Sequence, residues 1–119
     1  MANRWDIEDE TLLADMWQVV HQFHANEGPF WQVLTERFNE QSTGPHRSKS
    51  QLTSKWARMN AECQQFHAIH AHLQPTPDPW VRLEDAMNVF KERNNEKPFK
   101  YFHVWLILRF NPIWYNFMG

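Results

Sequence analysis

The sequence predicts an all-α domain: a three-helix bundle extended by two C-terminal helices. Apolar residues recur at helical spacing along most of the 119 residues, and the period-two alternation of strands is nearly absent. Gly-Pro pairs and a proline-rich connector divide the chain into helix-length segments. Aromatic residues make up 15%, including seven Trp, which gives a short chain unusual capacity to bury surface. One domain over residues 1–119 is expected, with a three-helix core at 1–73 and a helical extension at 78–119.

The first helix carries Leu13, Met16, Trp17, Val20 and Phe23 on one stripe. Asp6 suits its N-cap, where a carboxylate accepts the amide of Asp9, and the acidic Glu8-Asp9-Glu10 turn complements the helix dipole. Those three adjacent carboxylates point in different directions around a helix, which reads as a solvated first turn rather than an acid/base site. Gly28-Pro29 leads into a second helix with Phe30, Trp31, Leu34 and Phe38 on one face. After the Gly44-Pro45 loop, Ser48 and Gln51 form a capping-box pattern. Leu52, Trp56, Met59, Cys63, Phe66 and His70 then follow at spacings of four, three, four, three and four. That is one continuous face over about five turns.

Pro75, Pro77 and Pro79 end this helix. A fourth helix from about Pro79 places Trp80, Leu83, Met87 and Phe90 on one side, and Asn94-Asn95 breaks it. A last apolar helix is expected from Phe99 to Phe110, closed by Pro112, with Ile113 to Gly119 as an aromatic tail.

The net charge of −2 is unevenly spread. Residues 1–43 carry two basic and eight acidic residues; residues 44–72 carry Arg47, Lys49, Lys55 and Arg58 against Glu62 alone. Residues 73–119 carry six basic and five acidic residues, so the middle block has the clearest excess of the sign that a nucleic acid attracts. The longest apolar run, Val104 to Leu108, is far below the roughly 20 residues of a membrane span, and no apolar leader follows Met1. No membrane partner is therefore expected. A single Cys excludes a disulfide framework and a Cys-rich zinc module. With three Gly there is no phosphate loop, and neither a nucleophile elbow nor an HExxH helix occurs, so no catalytic residue and no cofactor are expected. His21 and His24 on helix one, with Cys63, His67 and His70 on helix three, could face each other across a metal. They lack a cysteine pair and overlap the apolar face, so no metal site is expected.

Three segments carry a resemblance: Trp5-Asp6-Ile7-Glu8-Asp9, Phe30-Trp31-Gln32-Val33-Leu34 and Leu52-Thr53-Ser54-Lys55-Trp56. They resemble the Myb/SANT repeat, a helix-turn-helix type in which three Trp rings clamp three helices behind a W-x-x-E-[DE] opening. The longer spacing is similar to the trihelix variant. Lys97-Pro98-Phe99-Lys100, Phe102 to Arg109 and Pro112-x-Trp114 resemble the closing motifs of Myb/SANT-like proteins related to PIF/Harbinger transposons, a transposon-derived, NAM-associated group.

The resemblance implies double-stranded DNA as partner, in the nucleus, with helix 47–72 as recognition helix. By position relative to Trp56 it implies base-facing roles for Ser50, Thr53, Ser54, Ala57 and Arg58, and phosphate contacts for Arg47, Lys49 and Lys55. It also implies a transposase or other nuclear protein as partner. The alternative is a protein-interaction module that keeps the fold without binding DNA. Eight aromatics between residues 99 and 118 exceed what one helix face can bury. Trp114 and Phe117 are therefore expected in an exposed patch for such a partner or a second copy of the chain; the alternative is that the whole segment is buried within the chain.

Overall fold

A computed structural model describes residues 4–116, and among these the secondary structure is entirely helical. Six helices follow one another: α1 (Ile7–Phe23), α2 (Phe30–Gln41), α3 (Lys49–His72), α4 (Pro79–Arg93), α5 (Phe102–Leu108) and α6 (Pro112–Asn116). The expected caps are in place. Asp6 accepts the Asp9 amide at 2.8 Å, and Ser48 and Gln51 close both bonds of the capping box at 3.1 and 2.8 Å. At α4, Asp78 accepts the Trp80 amide and Pro79 occupies the first turn, where its missing N–H costs nothing.

The helices α1, α2 and α3 pack on one another; α4 lies on α3, α5 on α1 and α3, and α6 on α1. One apolar core runs through all six. At its centre Trp17 stacks on Trp56, with ring centroids 4.9 Å apart. Trp31 instead lies edge-on to Phe30, so the ring that faces Trp56 comes from the middle of α1. Further along α3, Phe66 stacks on Phe99 at 4.3 Å and meets Trp105 edge-on at 4.9 Å. The rings of the extension thus complete the core of the bundle.

The C-terminal segment departs from expectation in two ways. The helix expected over 99–110 is shorter, with α5 spanning Phe102–Leu108, and a turn divides it from a sixth helix that begins at Pro112, in the expected tail. Proline opens that helix rather than stopping the previous one, because Asn111 accepts the Ile113 amide at 2.9 Å and supplies the N-cap. The division turns Trp114 inward. Its ring is fully buried, lies edge-on to His67, and donates its indole N–H to Asn60 Oδ1 at 2.8 Å. Trp114 is therefore core and not part of an exposed patch; Phe117 lies outside the described residues. Two stripe residues are also displaced. Trp80 is 73% exposed and Phe23 67%, while Ala86 takes the buried place beside Phe90. The start of α4 is held instead by Arg82, whose guanidinium donates twice to the His70 carbonyl near the end of α3.

Candidate nucleic-acid interface

The inward face of α3 is set by Leu52, Trp56, Met59, Cys63, Phe66 and Ile69, all buried. Helical geometry then turns Lys49, Ser50, Thr53, Ser54, Ala57 and Arg58 outward, and each is exposed. The Thr53 hydroxyl donates to the Lys49 carbonyl one turn back at 2.7 Å. Over these ten residues the helix advances about 14 Å at 1.5 Å per residue. Five of the seven residues assigned to DNA contact, Lys49, Ser50, Thr53, Ser54 and Arg58, thus share one solvent-facing strip.

The other two do not. Arg47 is 1% exposed. Its guanidinium donates to the Arg4 carbonyl at 2.8 Å and to Asp9 Oδ2 at 3.3 Å, and the Trp5 ring covers it at 4.2 Å. Its backbone is clamped as well: the Asn39 amide group accepts from Arg47 N and donates to Arg47 O, both at 2.9 Å. Arg47 therefore locks the α2–α3 turn to the start of α1 and is withdrawn from any ligand. Lys55 reaches Glu10 Oε2 at 2.8 Å and the Tyr101 hydroxyl at 3.3 Å, with its side chain 11% exposed. Glu10 also bonds His103 at 2.8 Å.

These pairs correct the reading of the acidic first turn as solvated. Asp9 is buried and Glu10 half-buried, and between them they bind two of the four cations in the basic middle block. Lys49 and Arg58 are left facing outward on α3, and neither makes an ion pair among the described residues.

A groove of about 550 Å³ runs beside the α3 strip, with Arg58, Lys100, Arg4 and Trp5 on its walls. Lys100 was not among the expected contacts. The signal was present in Lys97-Pro98-Phe99-Lys100, where two lysines flank a ring that must be buried.

The histidines and Cys63 are dispersed. His21 lies against Trp17 and Phe30, His24 pairs with Glu27, and Cys63 is buried beside the Tyr101 carbonyl. His67 Nδ1 accepts the Trp105 indole N–H at 3.0 Å, which fixes its neutral tautomer with the proton on Nε2. Among the described residues no three His, Cys, Asp or Glu side chains come together to hold a metal ion. Burial pushes the Cys63 thiol well above its usual range, away from thiolate chemistry.

Burial lowers the pKa of His21, His67 and His70, with Arg109 adding to the shift at His67 and Arg82 and Arg109 at His70. The unfolded chain then binds more protons than the folded one just below the ordinary histidine value of 6.5. Stability from these groups is complete above that value and declines as pH falls towards their lowered folded values. The melting temperature is expected to fall between pH 7.5 and 5.5, and His67→Gln, which keeps an acceptor without titrating, should flatten part of the fall. A melting temperature that rises on acidification over this range would contradict the assignment.

Residues 24–68 match the family model described as Myb/SANT-like DNA-binding domain. The match spans less than half of the chain and includes most of α3, with its whole exposed strip. No curated protein and no solved structure matches the chain.

Proposed function

We propose that this chain is a non-enzymatic module that binds duplex DNA in the nucleus, with α3 as its recognition helix. The observation that carries the reading is the strip of Lys49, Ser50, Thr53, Ser54, Ala57 and Arg58. It is exposed over its whole length and lies inside the stretch similar to Myb/SANT-like DNA-binding domains. A helix fits the major groove, about 12 Å wide, and small side chains let its backbone approach the base edges. Arg58 has the reach for a bidentate contact with guanine, and Lys49, in the positive first turn of α3, suits a phosphate. No helix among the described residues is long and apolar enough to cross a membrane.

The closing motifs, similar to those of PIF/Harbinger-related proteins, add a protein partner to this reading, a transposase or another nuclear protein. A second reading is favoured by one observation. With Arg47 and Lys55 turned inward, the outward cations of α3 are few, as suits a module that keeps the fold and binds protein.

Selection from a pool of random duplexes tests the first reading. Arg58→Ala is expected to cost about 1–3 kcal/mol at the preferred site and to relax preference at one base pair. Lys55→Ala should act differently, lowering the melting temperature because Glu10 keeps only His103 of its two partners, while leaving the preferred sequence unchanged. Equal binding by wild type and Arg58→Ala on every duplex would move the account to the protein-binding alternative.

A further inference from the structure

We infer that the C-terminal extension forms part of the DNA-binding surface, as a basic ridge of Arg93, Lys97 and Lys100 that continues from Arg58 and grips the phosphate backbone of duplex DNA. The inference rests on the DNA reading of α3 and extends it to residues outside the matched stretch.

Three neighbouring hollows share their walls. The first is lined by Gln51, Ser54 and Arg58 of α3, with Trp5 and Lys55. The groove beside it shares Arg58 and adds Lys100. The third, about 520 Å³, shares Lys100 and adds Lys97 and Arg93. The concave surface beside the α3 strip is thus continuous with the surface beside the α4–α5 turn. Arg58, Arg93, Lys97 and Lys100 are all exposed, and none makes an ion pair among the described residues. Glu62 is the one carboxylate on the wall of the third hollow. In the middle groove the carboxylate is Glu10, already held by Lys55 and His103. On these walls Arg4, Arg58, Arg93, Lys97 and Lys100 stand against one unengaged carboxylate, which leaves the track net positive although Glu96 is exposed beside Lys97.

The lysines are held firmly. After α4 the chain turns through Asn95 and Glu96, both with left-handed backbone at φ 56° and 65°. The Glu96 amide bonds back to the Lys91 carbonyl at 2.9 Å, and the Lys97 amide to Asn94 at 3.0 Å. A glutamate held in that region is strained and persists only where its surroundings enforce it. Phe99, between the two lysines, is buried and stacked on Phe66 of α3 itself. Lys97 and Lys100 are therefore fixed to the helix that carries the base-facing strip.

The chemistry of the track fits phosphate rather than unstacked bases. Phe99 and Tyr101 are buried, and the Trp5 ring is covered by the Arg47 guanidinium and approached by Lys55. Trp5 is the one Phe, Tyr or Trp ring on these walls that is not buried, and a guanidinium already lies over it, whereas single-strand binding requires a row of open rings on which successive bases stack. At the other end, beyond Arg4, Asp6 and Glu8 line the surface and bound the track with negative charge. A duplex seated on α3 would thus be drawn towards the extension and away from the start of α1.

The test compares the full chain with Lys97→Ala/Lys100→Ala on a random-sequence duplex over a salt titration. Both positions are exposed, so the helical circular dichroism of the variant should equal that of wild type. The slope of log K against log salt is expected to become shallower by about two units, at roughly 0.9 per lost phosphate contact, with a similar loss on every sequence. Wild-type binding with an unchanged slope in the variant would overturn the ridge and leave α3 as the whole interface. Failure of wild type to bind any duplex would overturn the ridge together with the reading of α3. Binding to an acidic peptide in preference to duplex would do the same and assign the track to a protein.

Discussion

Arg47→Ala is expected to destabilise the fold by about 3–5 kcal/mol, since it leaves Asp9 buried without its cation. The melting temperature should then fall by about 10–20 °C for a domain of this size. The size follows from how many parts converge there. The guanidinium reaches the Arg4 carbonyl and the Asp9 carboxylate while Trp5 covers its face, so one side chain ties the α2–α3 turn to the first turn of α1. Arg47→Lys should recover only part of the loss, because an ammonium lacks the planar fork that serves both acceptors under a ring. Equilibrium unfolding in urea measures the difference. A variant of wild-type stability with a shallower salt slope for DNA would instead place Arg47 at the phosphates.

Trp105→Ala is the second large effect, again about 3–5 kcal/mol, the range for emptying a fully buried large aromatic site. Trp105 meets Phe66 edge-on, donates to His67, and lies beneath the Arg109 guanidinium at 4.4 Å. The loss should appear in the unfolding of the whole chain as one transition, because the same core cluster holds α1, α3 and α5. Two separate transitions, with the first three helices melting at the wild-type temperature, would show that the extension is an independent unit.

The helices were legible because their signals are local. A carboxylate three residues before the amide it caps, a Ser-x-x-Gln pair and a run of apolar residues at alternating spacings of three and four are all contained within a turn or two. The corrections share the opposite property. Asp9 and Arg47 lie 38 residues apart in sequence, so their pairing is a product of the tertiary fold. The Glu8-Asp9-Glu10 turn therefore reads as solvated from its neighbours alone, although Asp9 and Glu10 are the internal partners of the basic block. Pro112 carried a local signal that admits two outcomes, since proline both stops one helix and starts the next. The cap from Asn111 decides for the start, and with it the burial of Trp114. Of the surface strip, the outward residues of α3 followed from the inward ones by helix geometry. Lys97 and Lys100 did not, because their place beside Arg58 depends on Phe99 finding Phe66 across the fold.

Charge is divided between two sides of α1 and α3: inward where Asp9 and Glu10 hold Arg47 and Lys55, outward at Lys49 and Arg58. Salt-dependent binding tests most directly the proposal that the outward face of α3 binds duplex DNA. The purified chain and Lys49→Ala would be titrated with a mixed-sequence duplex at several salt concentrations. The expected result is wild-type binding at low salt with a slope steeper than about −2, made shallower by about one unit in Lys49→Ala as one phosphate contact is lost. No duplex binding at low salt, or binding indifferent to both salt and Lys49, would contradict it.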